Sequence, residues 1–234
     1  MILRSFFLAL GQIADRRFRR VLGLGVLLAF ALLVVAYALL LWVITNTLGE
    51  SVMLPVLGEV TWLDDLLTVS SFIFMLVLSV FLMVPVASAI TSMFLDEVAQ
   101  AVEDRHYPHL PPAPGMPFSD ALRDTLTFLG ILIAANLVAF VLYAFFWQFG
   151  AFIFWGLNGF LLGREYFTLA ATRRVGRIKA RNLRRRHLGT IWLAGVLMAV
   201  PLSVPLINLV IPILGAATFT HIFHALNTDT PQRR

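Results

Sequence analysis

The chain has no cysteine among its 234 residues. That excludes disulfides, thiolate metal sites and cysteine nucleophiles, and leaves the redox compartment undetermined. Charge is also scarce: 13% of residues are charged and 59% hydrophobic, with a mean hydropathy of +0.86. A soluble domain of this length has no core large enough to hide so much apolar surface. In two long stretches charge is missing altogether, since Thr125 to Gly163 and Leu188 to Leu226 contain no Asp, Glu, Lys or Arg. Also missing are a glycine-rich phosphate loop, a nucleotide fingerprint and a Ser-His-Asp arrangement, so no catalytic residue, no cofactor and no enzyme is expected.

A helix rising 1.5 Å per residue crosses the roughly 30 Å hydrocarbon core in about 20 residues. Each of the two long runs is therefore about twice a single span. Two shorter runs, Val21 to Glu50 and Leu66 to Leu95, each suffice for one crossing. The first is too long for the apolar region of a signal peptide and reads as an uncleaved transmembrane helix. The net charge of +5 and pI near 10.4 are read as basic cytoplasmic loops, with no nucleic-acid partner.

Loop charge sets the orientation. Arg4, Arg16, Arg17, Arg19 and Arg20 against Asp15 place the amino-terminal segment in the cytoplasm, and Glu50, Glu59, Asp64 and Asp65 without a basic residue place the first loop outside. Arg164, Arg173, Arg174, Arg177, Lys179, Arg181, Arg184, Arg185 and Arg186, opposed by Glu165 alone, return the later loop to the cytoplasm. With both its ends on one side, the Thr125 to Gly163 run must turn back, and the turn is set near Gln148-Phe149-Gly150. Pro201, Pro205, Asn208 and Pro212 break the last run in the same way.

The expected fold is an all-α integral membrane protein: two transmembrane helices, two helical hairpins that cross or enter only partway, and amphipathic cytoplasmic helices. It reads as one domain, 1–234. An amphipathic basic amino terminus (1–20) leads to span 1 (21–45), an external loop (46–65) and span 2 (66–95). An acidic, proline-rich cytoplasmic loop (96–124), hairpin 1 (125–163), a basic cytoplasmic helix (164–187), hairpin 2 (188–226) and a cytoplasmic tail (227–234) follow. Re-entrant backbone needs protein or water around it, which points to a homo-oligomer or a bundle interior.

The basic helix is expected to place Phe167, Leu169, Ala170, Ala171, Val175 and Ile178 against protein or lipid, with its arginines toward water and anionic lipid headgroups. Ser71, Ser79, Ser88, Thr91 and Ser92 on the second span either line a hydrated path or allow close packing, and Pro85 kinks that helix. His221 and His224, like His106 and His109, stand three apart, but the first pair has no carboxylate or thiol near it in sequence and no metal site is expected. The apolar runs also lack the buried charge usual in coupled transporters, which favours uncoupled passage.

The chain resembles, over nearly its whole length, the CysZ sulfate-transport proteins and their relatives in the etoposide-induced protein domain family. The resemblance rests on an ordered set of features. Phe6-Phe7-Leu8-Ala9-Leu10-Gly11-Gln12-Ile13 precedes Asp15-Arg16-Arg17-Phe18-Arg19-Arg20-Val21-Leu22. Phe94-Leu95-Asp96-Glu97-Val98, Val102-Glu103 and Tyr107-Pro108 follow the second span. Asn158-Gly159-Phe160-Leu161-Leu162-Gly163-Arg164-Glu165-Tyr166-Phe167 closes the hairpin, and Pro201-Leu202-Ser203-Val204-Pro205-Leu206-Ile207-Asn208 lies in the last one. It implies an oligomeric bacterial inner-membrane protein, without cofactor, that passes sulfate in support of cysteine synthesis.

In that family sulfate is bound near the start of the first span by a glycine-leucine-arginine element followed by another arginine. The matching positions are Phe18-Arg19-Arg20, with Arg17 and Phe18 standing where the family has glycine and leucine. Helical spacing puts Arg16, Arg19 and Arg20 on one face, beside amides that a helix amino terminus leaves unpaired. These three are the expected anion-binding residues. Arg164, Glu165 and Asn158, where hairpin 1 meets the basic helix, are the expected second anion contact or gate, with Arg164 alternatively pairing with a carboxylate of the Asp96 to Asp104 helix. The rival reading is a membrane scaffold whose basic helix binds lipid or a partner.

Overall fold

The computed structural model describes residues 1–48, 52–54, 58–60, 94–114 and 118–228. The second span, with its serines and Pro85, lies almost wholly outside the described residues.

Helix α1, Ile2–Gly11, is joined by a tight turn to the long α2, Arg16–Leu48. The turn is built by Gln12 and Asp15. Asp15 Oδ1 accepts the backbone N–H of Arg17 at 2.8 Å, and the buried Gln12 amide donates to Asp15 Oδ2 at 3.3 Å and to the Ala101 carbonyl at 3.1 Å. An acceptor at this position satisfies an amide that the helix itself leaves open. Beyond α2, three-residue strands β1, Val52–Leu54, and β2, Gly58–Val60, pair antiparallel with Met53 opposite Glu59. This small ribbon in the first loop is the one departure from helix among the described elements.

Helix α3, Leu95–His106, buries Leu95, Val98, Ala99, Ala101 and Val102. It ends before the Tyr107 to Pro112 segment, where Pro108, Pro111 and Pro112 cannot extend it. Helix α4, Phe118–Phe145, follows. None of its apolar stretch Leu126–Phe145 is buried. A helix with this composition and no protein cover needs lipid around it. Two polar side chains are satisfied within the helix: Asn136 donates to the Leu132 carbonyl at 2.8 Å and Thr127 to the Arg123 carbonyl at 2.7 Å. Among the described residues α2, over Arg16–Leu39, and α4, over Leu126–Phe145, are long and apolar enough to cross a membrane.

A 3-10 turn at Trp147–Phe149 reverses the chain, at the place where the sequence set its break. Helix α5, Gly150–Arg186, then joins the returning hairpin leg to the arginine-rich segment without a linker. The single basic helix expected over 164–187 is in fact two arms. At Gly176, φ is +74° and ψ 168°, a left-handed conformation that glycine adopts without a Cβ penalty. The chain folds back there, so Arg184 Nη1 reaches Thr168 Oγ1 at 2.5 Å, whereas a straight helix would hold residues sixteen apart at about 24 Å. Phe167, Ala170 and Ala171 are buried as expected, but Ile178, on the second arm, is 80% exposed.

Helix α6, Leu188–Ala199, runs back along the first arm of α5. Glycines make this contact. A Cβ on Gly159 would stand 2.7 Å from the Val196 nitrogen, one on Gly163 would stand 2.5 Å from the Ile191 oxygen, and one on Gly195 would fall on the Gly159 carbonyl oxygen. Small residues four apart that let two backbones touch are a recurrent packing device in membranes, where water supplies no force to drive helices together. At about 1.5 Å per residue, α6 spans only ~18 Å, short of the roughly 30 Å core.

The 3-10 turn Pro201–Ser203 and the short α7, Pro205–Asn208, lead to α8, Ile211–Thr228. Its buried positions run almost without gap from Ile211 to His224. Helices α1, α3 and α5 all pack on it, with Phe219 against Tyr166 and Phe223 against Phe167. The second leg of the last hairpin is therefore the hub of the bundle, wrapped in protein rather than lipid.

Candidate functional site

At the foot of α2 four arginines separate into two kinds. Arg17 reaches across to α3, its Nη1 lying 2.5 Å from Asp104 Oδ2. That hydrogen bond, with a second from Gln100 at 2.7 Å, holds the Asp104 carboxyl below its usual range. Arg16, Arg19 and Arg20 are exposed, and their side chains make no ion pair or hydrogen bond among the described residues. Phe18, between them, is buried and fixes the helix orientation that turns these three outward. Residues 16, 19 and 20 fall at helical spacing on one face, so three guanidinium groups converge without a carboxylate to neutralise them.

The backbone part of the expected anion site is different. The amide of Arg17 is not open, because the Asp15 carboxylate already accepts it. The Arg17 amide therefore contributes nothing to an anion held here. The adjoining cleft, about 430 Å³, is lined by Asp15, Arg17, Ala101, Asp104 and Arg105, charges of both signs that favour neither cation nor anion.

A second polar centre, which sequence spacing did not reveal, is built around Glu103 of α3, only 1% exposed. Arg174 of α5 grips its carboxylate with two donors, Nε to Oε1 at 2.8 Å and Nη2 to Oε2 at 2.6 Å. Arg173 Nη2 lies 3.5 Å from Oε2, and His224 Nε2 of α8 lies 3.0 Å from Oε1. Burial pushes the Glu103 carboxyl up, but the His224 and Arg174 hydrogen bonds and the two arginine charges outweigh it and hold the group down at about 2. The His224 ring lies against Tyr107, at 4.1 Å between centroids, and the Tyr107 hydroxyl is 3.1 Å from His221 Nδ1. His106 meets the His221 ring edge to face at 4.8 Å. Three elements far apart in sequence are thus pinned at one carboxylate.

Of the carboxylates in the Asp96 to Asp104 helix, Glu103 faces Arg173 and Arg174, and Asp104 faces Arg17. One expectation is corrected. The His221 and His224 pair does have a carboxylate beside it, Glu103, brought from 121 positions away. Among the described residues no group of three His, Cys, Asp or Glu side chains is gathered as a metal site. The one sequence signal for this centre was the matching i, i+3 histidine spacing, which marks a helix face but not its partner.

Asn158, Arg164 and Glu165 all lie on the first arm of α5, on a different helix from Arg16, Arg19 and Arg20. The Asn158 amide donates to the Phe154 carbonyl at 2.9 Å within its own helix. Glu165 is partly buried where the apolar leg ends, and burial pushes its carboxyl up to about 6. A carboxyl raised above its ordinary 4.5 binds protons more tightly folded than unfolded, so the fold loses stability as pH rises from 4.5 through about 6. Glu165→Gln is therefore expected to stabilise the protein near neutral pH by about 1 kcal/mol, allowing for remaining solvent contact. It should change little below about 4.5. Thermal unfolding in detergent at the two pH values checks this, and equal melting of both proteins near neutral pH would refute it.

Residues 5–212 match the family described as EI24, sulfate transporter CysZ/etoposide-induced protein 2.4. No curated protein and no solved structure matches the chain.

Proposed function

The chain belongs to the sulfate transporter CysZ/etoposide-induced protein 2.4 family, and from that premise we propose that it passes sulfate, or a related oxyanion, across a bacterial inner membrane into the cytoplasm. Such passage would serve cysteine synthesis and involve no catalysed reaction. The observation that carries this reading is the division among the arginines of α2. Arg17 is neutralised by Asp104, while Arg16, Arg19 and Arg20 keep three outward guanidinium groups without a partner among the described residues. A planar guanidinium matches the edge of a tetrahedral oxyanion with two parallel donors.

In this reading both termini are cytoplasmic and protomers assemble into a homo-oligomer, which closes the path that one chain leaves open to lipid. Arg164 provides a further anion contact where hairpin 1 leaves the membrane, beside Glu165 and Asn158. Passage is uncoupled. The direct test is radiolabelled sulfate uptake into liposomes carrying the purified protein, beside Arg19→Ala/Arg20→Ala and empty vesicles. Uptake should depend on the protein and fall at least about tenfold in the double variant, each lost charge-assisted contact being worth roughly 1.5–3 kcal/mol. Absence of uptake from folded, inserted protein would favour a membrane scaffold instead.

A further inference from the structure

The second arm of α5, 177–186, divides its residues cleanly. Ala180 and Leu183 are buried. Ile178, Arg181, Asn182 and Arg185 follow i, i+3, i+4, i+7 spacing and share the outward face, flanked by the exposed Lys179 and Arg186. The arginines of the first arm differ, for Arg173 and Arg174 are engaged by Glu103. Lys179, Arg181, Arg185 and Arg186 make no ion pair among the described residues. Within this cationic face stands Ile178, the most exposed large hydrophobic side chain of the described residues at 80%.

We propose that this arm is a docking face for anionic phospholipid headgroups, with Lys179, Arg181, Arg185 and Arg186 on the phosphates and Ile178 in the acyl boundary. Two features select a lipid surface over an acidic protein or a nucleic acid. The arm runs through His187 alone into α6, whose outward residues Leu188, Trp192 and Leu193 are exposed and apolar, so the cations stand where an apolar leg enters the bilayer. A bare isoleucine among cations is also the composition of a helix lying in a headgroup layer. The inference rests on the cytoplasmic placement of the arm and not on sulfate passage.

The reversal at Gly176 has a purpose in this arrangement. A straight α5 would extend residues 177–186 about 15 Å beyond Gly176, leaving Arg184 about 24 Å from Thr168. Folded back, the arm stands beside Thr168 instead.

The purified full chain in detergent, titrated with phosphatidylglycerol or phosphatidylcholine and read by native mass spectrometry, tests the proposal. Wild type should retain phosphatidylglycerol over phosphatidylcholine by at least about tenfold, given that each basic residue at an anionic leaflet contributes roughly a fivefold change. Lys179→Gln/Arg181→Gln/Arg185→Gln/Arg186→Gln should abolish that preference, whereas Arg16→Gln/Arg19→Gln/Arg20→Gln should keep most of it. Inorganic phosphate should not displace the lipid. If the quadruple variant does not fold, Arg181→Gln/Arg185→Gln, with both changes on the outward face, should lower the preference several-fold. Undiminished preference in a folded variant, or displacement by inorganic phosphate, would overturn the proposal. A wild type that passes no sulfate yet shows this lipid preference would refute the passage reading and leave this one standing.

Discussion

Glu103→Ala should destabilise the fold by about 3–5 kcal/mol, the usual cost of removing one partner from a buried ion pair. The reason is what remains. Arg174, Arg173 and His224 converge on this carboxylate from two other helices, and without it the two guanidinium groups lie close together with no counter-charge. Arg174→Met alone should cost less, because Arg173 and His224 still face the carboxylate. The double change should cost less than the sum of its parts. Chemical unfolding in detergent, read by circular dichroism, measures all three. A loss below about 1 kcal/mol for Glu103→Ala would mean that the carboxylate does not hold α3, α5 and α8 together.

The same centre sets a pH dependence. A carboxyl held at about 2 in the fold against an ordinary 4.5 stabilises fully above 4.5 and loses that contribution as pH falls through about 2. His106 adds to it with the same sign. Burial and the Arg105 charge hold its pKa below the ordinary 6.5, so the unfolded chain takes up the proton first as pH falls. Below about 4.5 wild type should therefore weaken on acidification, and Glu103→Gln should flatten that part of the curve.

The membrane-facing half of this architecture was legible because its signals are local. A charge-free run, a reversal at Gln148-Phe149-Gly150 and prolines at 201, 205 and 212 each act on their own few residues, and the turns at Trp147–Phe149 and Pro201–Ser203 follow from them. The Gly176 reversal was not legible: a glycine in a helical pattern is tolerated as often as it breaks one, and only the return of Arg184 to Thr168 decides. The Glu103 centre was hidden for a different reason. Its members come from positions 103, 173, 174 and 224, and one charge run holding both Arg174 and Arg185 gives no sign that the first turns inward and the second outward. At the foot of α2 the arginines could be read, but the capping role of Asp15, which closes the Arg17 amide to an anion, required the turn geometry.

Gly195→Val should separate α5 from α6 and abolish the sulfate uptake proposed for the chain. A Cβ on Gly195 falls on the Gly159 carbonyl oxygen and stands 2.9 Å from the Gly163 nitrogen, and both atoms are backbone, so no side chain can swing aside. The helices themselves must move apart. Overpacking of this kind costs about 1–3 kcal/mol and often more where backbone is met. In lipid no hydrophobic force draws the separated faces together again. Gly156→Ala and Gly189→Ala are the controls: each lies on the same pair of helices with nothing within 4 Å of the added methyl. They should be neutral or gain up to about 1 kcal/mol from helix propensity. Unfolding and uptake measured together would separate this contact from general intolerance of glycine changes. If Gly195→Val matched Gly156→Ala in both, the two backbones would not be in contact. If it lost uptake while keeping wild-type stability, the close contact would serve the path itself rather than the fold.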